Sequence, residues 1–223
     1  MSKNSNELRD AQKTLCDAAH KFANSDLVAG TWGNLSMRIN DDYFVCTPSG
    51  RDYNELEPKD MPIVKFGDLS YEGPKPTKEK NFHAMIYQER DEINAIIHTH
   101  SMNASTVAAA RRDVPPVLDD QAQILGPNIR CAEYGLPGTK NIAKKVVKAI
   151  KGRNACLLAN HGAVVIGRDL DEAFTGCAVL EKACKAFIEA EFIGGPVPLR
   201  KFDARIMHWY YVKKYSKHRK DNK

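Results

Sequence analysis

No apolar run in this sequence approaches the roughly 20 residues that a membrane-spanning helix needs, so no membrane partner is expected. The opening Met1-Ser2-Lys3-Asn4-Ser5-Asn6-Glu7 has no apolar core, and a secretory signal is not expected there either. C-x-x-C spacing is also missing: the six cysteines, at positions 16, 46, 131, 156, 177 and 184, stand singly. Most lie in apolar surroundings such as Ala155-Cys156-Leu157. Buried thiols in a reducing cytosol are therefore expected, not zinc on cysteine. No repeat or flexible linker divides the 223 residues, which are long enough to bury a substantial core, and one domain over 1–223 is expected. A general excess of positive charge is lacking too. The net charge of +5 is concentrated in the tail at 213–223, where six of the 33 Lys and Arg face one Asp. Without that tail the chain is close to neutral, which argues against a nucleic-acid partner, and the tail itself reads as a solvated terminus.

What is present is an alternation of helical and extended patterns. Leu8, Ala11, Leu15, Ala18, Ala19 and Phe22 fall at helical spacing over 6–23. Residues 35–39 and 43–47 read as a hairpin about Asn40-Asp41-Asp42, and the second strand ends in the turn Thr47-Pro48-Ser49-Gly50. A short strand is predicted over 61–66. Pro76-Thr77-Lys78-Glu79 opens a helix running to about Arg90, with Thr77 a candidate cap and a helix start that can receive an anion. Further helices are predicted at 102–111, 119–125, 138–150 and 169–191, and strands at 94–100 and 129–132. Residues 155–159 read as a buried strand that delivers Asn160-His161-Gly162 and continues over 163–166. The early hairpin excludes a purely parallel sheet. The expected fold is a three-layer α/β/α domain with a mixed, largely antiparallel central sheet.

The organising stretch is Ala95-Ile96-Ile97-His98-Thr99-His100-Ser101. On a strand, residues i and i+2 project from one face about 7 Å apart. His98 and His100 can thus converge on one ion where the strand ends, or be one packed and one exposed histidine. His161 alone reads equally as a loop histidine, and Glu79 alone as a first-turn helix glutamate.

Five ordered motifs decide between these readings: Gly-Asn-Leu-Ser at 33–36, Thr-Pro-Ser-Gly at 47–50, Pro-Thr-Lys-Glu at 76–79, His-Thr-His at 98–100 and Asn-His-Gly at 160–162. From Thr31 to about Ala190 the chain resembles the class II aldolase/adducin family, in particular its L-fuculose-phosphate aldolase and L-ribulose-phosphate 4-epimerase branch. The resemblance implies a Zn2+ site on His98, His100 and His161, with Glu79 as acid/base and, in the resting state, a further metal contact. It implies a substrate-phosphate site at Asn34, Ser49, Gly50, Thr77 and Lys78, with Lys78 standing where the aldolases tend to have serine. The implied reaction is reversible aldol cleavage of a ketose 1-phosphate, L-fuculose 1-phosphate or a related deoxy-ketose 1-phosphate, to dihydroxyacetone phosphate and a short aldehyde. Homotetramers with interfacial sites are implied as well. The resemblance further implies a second proton-transfer group, either a C-terminal tyrosine among Tyr210, Tyr211 and Tyr215, with Tyr211 taken first, or a residue of the loop where Asp119 and Asp120 stand in place of the aromatic of the fuculose aldolases, a pair that keeps the epimerase reading open. Glu79 favours aldolase over the epimerases, which carry aspartate there. The same scaffold also serves methylthioribulose-phosphate dehydratase. Retention of Glu79 and three histidines argues against the adducin-like interaction domains.

Overall fold

The computed structural model describes residues 3–28 and 30–215. The chain enters through helix α1 (Lys3–Ala23), whose Ala11, Leu15, Ala18, Ala19 and Phe22 are buried at the spacing expected from the sequence. Strands β1 (Asn34–Arg38), β2 (Tyr43–Cys46), β3 (Ile63–Lys65) and β4 (Tyr71–Glu72) follow as an antiparallel meander. After helix α2 (Lys80–Glu89), strand β5 (Ala95–Thr99) returns along β1 in antiparallel register, with Asn34 opposite His98. Helices α3 (Met102–Ala109) and α4 (Asp119–Ile124) lead to β6 (Arg130–Ala132), α5 (Lys140–Ile150), β7 (Ala155–Leu158), β8 (Gly162–Gly167) and α6 (Leu170–Ala190). The described part ends in α7 (Lys201–Tyr210) and a π-helical turn, Tyr211–Tyr215, neither of which the sequence reading anticipated. From residue 216 the basic tail lies outside the described residues.

The eight strands form one sheet in the order β4-β3-β2-β1-β5-β8-β7-β6. Every pair is antiparallel except β6 with β7, which gives the mixed, largely antiparallel sheet expected. Strand alternation sorts the core into two layers. Leu35, Ile97, Leu157 and Val165 pack against α1, α3 and α6 on one face. Ile96, Leu158, Val164 and Ile166 pack against α2 and α5 on the other. Fully burying an aliphatic side chain of this size contributes about 1.5–3 kcal/mol, so both faces hold the central strands firmly.

Two local expectations need correction. Residues 155–166 are not one continued strand. The chain reverses at 159–161, and β7 and β8 pair antiparallel, with Leu158 opposite Gly162. Asn160 makes the reversal possible by taking the left-handed conformation (φ 58°), which asparagine tolerates better than most residues. Thr77, in turn, does not cap α2. Pro76 bridges to Pro48 and the Thr77 amide donates to the Thr47 carbonyl at 3.1 Å, so this segment is held extended and the helix starts later, at Lys80.

Candidate active site

Three elements bring the histidines together. His98 is the fourth residue of β5 and is fully buried; His100 stands just past the strand end; His161 sits in the β7–β8 turn. The three rings lie in mutual edge contact, with centroids 4.7, 4.8 and 4.9 Å apart. One nitrogen from each lies within 4.8 Å of the others. Gly162 makes this possible, since a Cβ there would meet the Thr99 carbonyl at 2.3 Å and crowd both His98 and His100. The Asn-His-Gly turn therefore has one structural reason per residue: a left-handed turn, a ring delivered to β5, and room to deliver it.

Glu79 completes the group. It is the residue immediately before α2, is 7% exposed, and its own amide donates to the Thr77 hydroxyl at 3.3 Å. Its Oε2 lies 3.2 Å from His98 Nε2 and accepts from Asn34 Nδ2 at 2.8 Å. Its Oε1 lies 3.7 Å from His161 Nε2.

The donor set fits a divalent cation. His98 Nδ1 donates to the Ala163 carbonyl at 2.9 Å, so the Nε2 of the neutral ring presents a lone pair. That lone pair faces a carboxylate oxygen and, at 2.9 Å, His100 Nε2, an arrangement a cation would relieve. Glu79 Oε1 and His161 Nδ1 are buried without a hydrogen-bond partner among the described residues. Burial pushes all three imidazoles down to about 4, against a smaller opposing pull at His98 from the Ala163 carbonyl and at the other two from Glu79. The rings are thus neutral at pH 7, as metal ligands must be.

Asn34, Ser49, Gly50, Thr77, Lys78, Glu79, His100 and His161 line one cavity of about 240 Å³, and His98 lies beneath it. Lys78 is exposed, while Thr77 and Asn34 are buried. Exposed Trp32, 6.0 Å from the His100 ring, lies on the wall, and the Tyr53 hydroxyl donates inward to the Gly33 carbonyl at 2.6 Å.

Tyr211 is not brought to this cavity within the chain. It is buried, donates to Glu172 Oε1 at 3.1 Å, and lies under the Arg168 guanidinium, past the end of β8 remote from the histidines. Asp120 pairs with Lys182 and Asp119 is exposed. Of Tyr215 only the backbone is described, and Tyr210 is exposed on α7. What sequence reasoning missed lies behind Glu79. His83, Tyr87 and Ser36 are fully buried polar residues joined to Asn34. Their signal was available, as Glu79, His83 and Tyr87 recur every four residues and Asn34 and Ser36 every two.

The Class II Aldolase and Adducin N-terminal domain family matches residues 13–188. The chain belongs to this family. Among class II aldolases it is similar to a 5-deoxy-D-ribulose 1-phosphate aldolase from Bacillus thuringiensis serovar kurstaki, 35% identical over 79% of this chain and 83% of the relative. It is also similar to a 5-methylthioribulose-1-phosphate/5-deoxyribulose-1-phosphate aldolase from Rhodospirillum rubrum, 34% identical over 78% of each. A solved L-fuculose 1-phosphate aldolase superposes with a TM-score of 0.86 at 33% identity, over 91% of this chain and 96% of that one. The chain is accordingly an enzyme of the class II aldolase type, a lyase.

Acid is expected to destabilise the metal-free aldolase. His83 and His98 are fully buried, and burial holds them near 3 and 4 respectively, far below the usual 6.5. A depressed folded-state value means that the unfolded chain binds the extra protons. The stability is therefore complete above about pH 6.5 and is lost as the pH falls toward 4. Each ring contributes a slope of up to about 1.4 kcal/mol per pH unit in that window. Thermal unfolding of metal-free protein between pH 7.5 and 4.5 measures it, and a flat melting temperature from pH 6.5 to 5 would show these rings to be solvated.

Proposed function

We propose that this chain is a zinc-dependent aldolase that reversibly cleaves a deoxy-ketose 1-phosphate to dihydroxyacetone phosphate and a short aldehyde. One observation carries the reading: the buried carboxylate of Glu79, with Oε1 accepting no hydrogen bond, lies against three converging imidazoles and lines the same cavity as Ser49, Thr77 and Lys78. Two relatives named for 5-deoxyribulose 1-phosphate and a structure named for L-fuculose 1-phosphate support the substrate class. His98, His100 and His161 would hold Zn2+, which supplies Lewis-acid stabilisation of negative charge on oxygen. Ser49, Gly50, Thr77, Lys78 and the remaining N–H of Asn34 would hold the substrate phosphate through hydroxyls, amides and one cation. In the synthetic direction Glu79 takes a proton from carbon 3 of dihydroxyacetone phosphate. In cleavage, once the bond between carbons 3 and 4 has broken, it returns that proton to carbon 3.

A homotetramer is part of the proposal. Trp32, Met102 and Leu136 are exposed beside residues that build the site, and such an apolar rim suits a subunit contact. A neighbouring copy would then supply the group that protonates the aldehyde oxygen, since Tyr211 is engaged with Glu172 in its own chain. A cytoplasmic location is supported by six free thiols, and among the described residues no helix is long and apolar enough to cross a membrane. The test is incubation of zinc-loaded protein with dihydroxyacetone phosphate in heavy water, followed by NMR. Stereospecific loss of one carbon-3 proton is expected. Full zinc occupancy with no exchange would overturn the aldolase reading and favour water elimination on the same scaffold.

A further inference from the structure

Glu79 is the end of a buried chain of hydrogen bonds. From its Oε2, Asn34 Nδ2 lies at 2.8 Å; from Asn34 Oδ1, His83 Nε2 lies at 2.6 Å; from His83 Nδ1, Ser36 Oγ lies at 2.7 Å; and from Ser36 Oγ, the Tyr87 hydroxyl lies at 2.8 Å. All five residues are 7% exposed or less. The backbone explains the assembly. Asn34 and Ser36 share one face of β1 at a two-residue spacing, and Glu79, His83 and Tyr87 share one face of the α2 segment at a four-residue spacing. Two ladders with the rise of a strand and of a helix meet and zip together, with His83 stacked on Phe82 at 4.6 Å.

We propose that Tyr87, Ser36, His83 and Asn34 form a one-way hydrogen-bond chain that positions Glu79, fixing Oε2 as the accepting oxygen and leaving Oε1 to face the substrate. The inference rests on the reading of Glu79 as the carbon-3 base. The sense of the chain is demanded from both ends. A carboxylate only accepts, so Asn34 must turn its NH2 toward Glu79 and its oxygen toward His83. A neutral imidazole carries one hydrogen, and burial keeps His83 neutral, so Nε2 donates to Asn34 and Nδ1 accepts from Ser36. At the far end the buried Tyr87 phenol has Ser36 Oγ as its acceptor, which leaves the serine hydrogen for His83. Every donor therefore points toward Glu79.

His83 is what gives Asn34 its direction. The oxygen and nitrogen of an amide are nearly the same size, and an inverted Asn34 would set Oδ1 against the Glu79 carboxylate. A ring that offers Asn34 only an N–H admits one of the two orientations. These residues are positioning residues; Glu79 alone meets the reacting carbon.

Two measurements on the full chain test the proposal. Nitrogen-15 imidazole spectra of the metal-free and zinc-loaded protein are expected to show His83 as the Nε2–H tautomer in both; the Nδ1–H tautomer would overturn the one-way chain. In the heavy-water assay, His83→Leu is expected to slow carbon-3 exchange about tenfold, the worth of one buried charge-assisted hydrogen bond. KM and zinc content should stay within about twofold, and His83→Gln, whose amide can still donate, should recover most of the rate. A purely structural role would lower the melting temperature and leave the rate per folded, zinc-loaded molecule unchanged, and that result would refute positioning. Should His83→Leu not fold, Tyr87→Phe carries the same comparison with a smaller loss in the same direction. If the wild type exchanges no proton, the aldolase reading falls, and the His83 tautomer still decides the chain of hydrogen bonds.

Discussion

His98→Ala is expected to lose bound metal and turnover together. Of the three proposed ligands His98 alone is fully buried, and its Nε2 is aimed by the Nδ1 bond to the Ala163 carbonyl, so alanine there leaves no imidazole in its place. His100 and His161 would remain, with ring centroids 4.9 Å apart, but two imidazoles and a carboxylate hold a divalent ion far more weakly than three and a carboxylate. Disturbing groups that merely orient ligands already costs about 10–100-fold in affinity, so removal of a ligand should cost more. With Lewis-acid stabilisation gone, kcat should fall by at least about a thousandfold, equivalent to roughly 4 kcal/mol of barrier. Metal content by elemental mass spectrometry and turnover on the same preparation check this. Stoichiometric metal with normal turnover would remove the three-histidine centre as the site of chemistry. Melting of the metal-free variant is the control, because replacing a fully buried ring also leaves a cavity.

Glu79→Gln separates metal binding from proton transfer. The amide is close to isosteric with the carboxylate, and its oxygen can still accept from Asn34 Nδ2, so the loop and the cavity should persist. The amide has no basic oxygen for a carbon-bound proton. Loss of a positioned general base costs about 10²–10⁴-fold, and carbon-3 exchange should fall by that factor while the three imidazoles still bind metal. Exchange at the wild-type rate would exclude Glu79 as the base. A loss of metal equal to that of His98→Ala would instead make Glu79 chiefly a ligand.

How far the site could be read from sequence depended on the range of each signal. His98 and His100 are two apart on a predicted strand, and the period of a strand alone sets them on one side. His161 gives no comparable local sign, because its partners lie more than 60 positions away and the turn that delivers it was read as an uninterrupted strand. An apolar run such as Ala155–Leu158 continued by Gly162–Gly167 announces burial without announcing a reversal, and only Asn160 and Gly162 mark the break. Thr77 shows the opposite failure. Its residue type is right for a cap, yet pairing of 76–77 with 47–48 outweighs the local preference. The pairing of His83 with Tyr87 gives little sign in sequence, because a helix side that carries Phe82 and Ile86 looks apolar and a buried polar ladder beside it adds no hydrophobic period. Tyr211 was chosen by resemblance, and its bond to Glu172 is a long-range pairing that no spacing could foretell.

The placement of β5 bears on what this scaffold can become. Four strands flank it on one side and three on the other, and its immediate neighbours β1 and β8 carry Asn34 and follow His161 directly. The short β4 and β6 form the borders of the sheet, separated from the histidines by at least one intervening strand. Insertions, deletions or drift at those borders can reshape what the protein meets while the reactive centre keeps its geometry. Outer surface and chemistry can therefore diversify on separate schedules, with innovation at the periphery and inheritance at the middle.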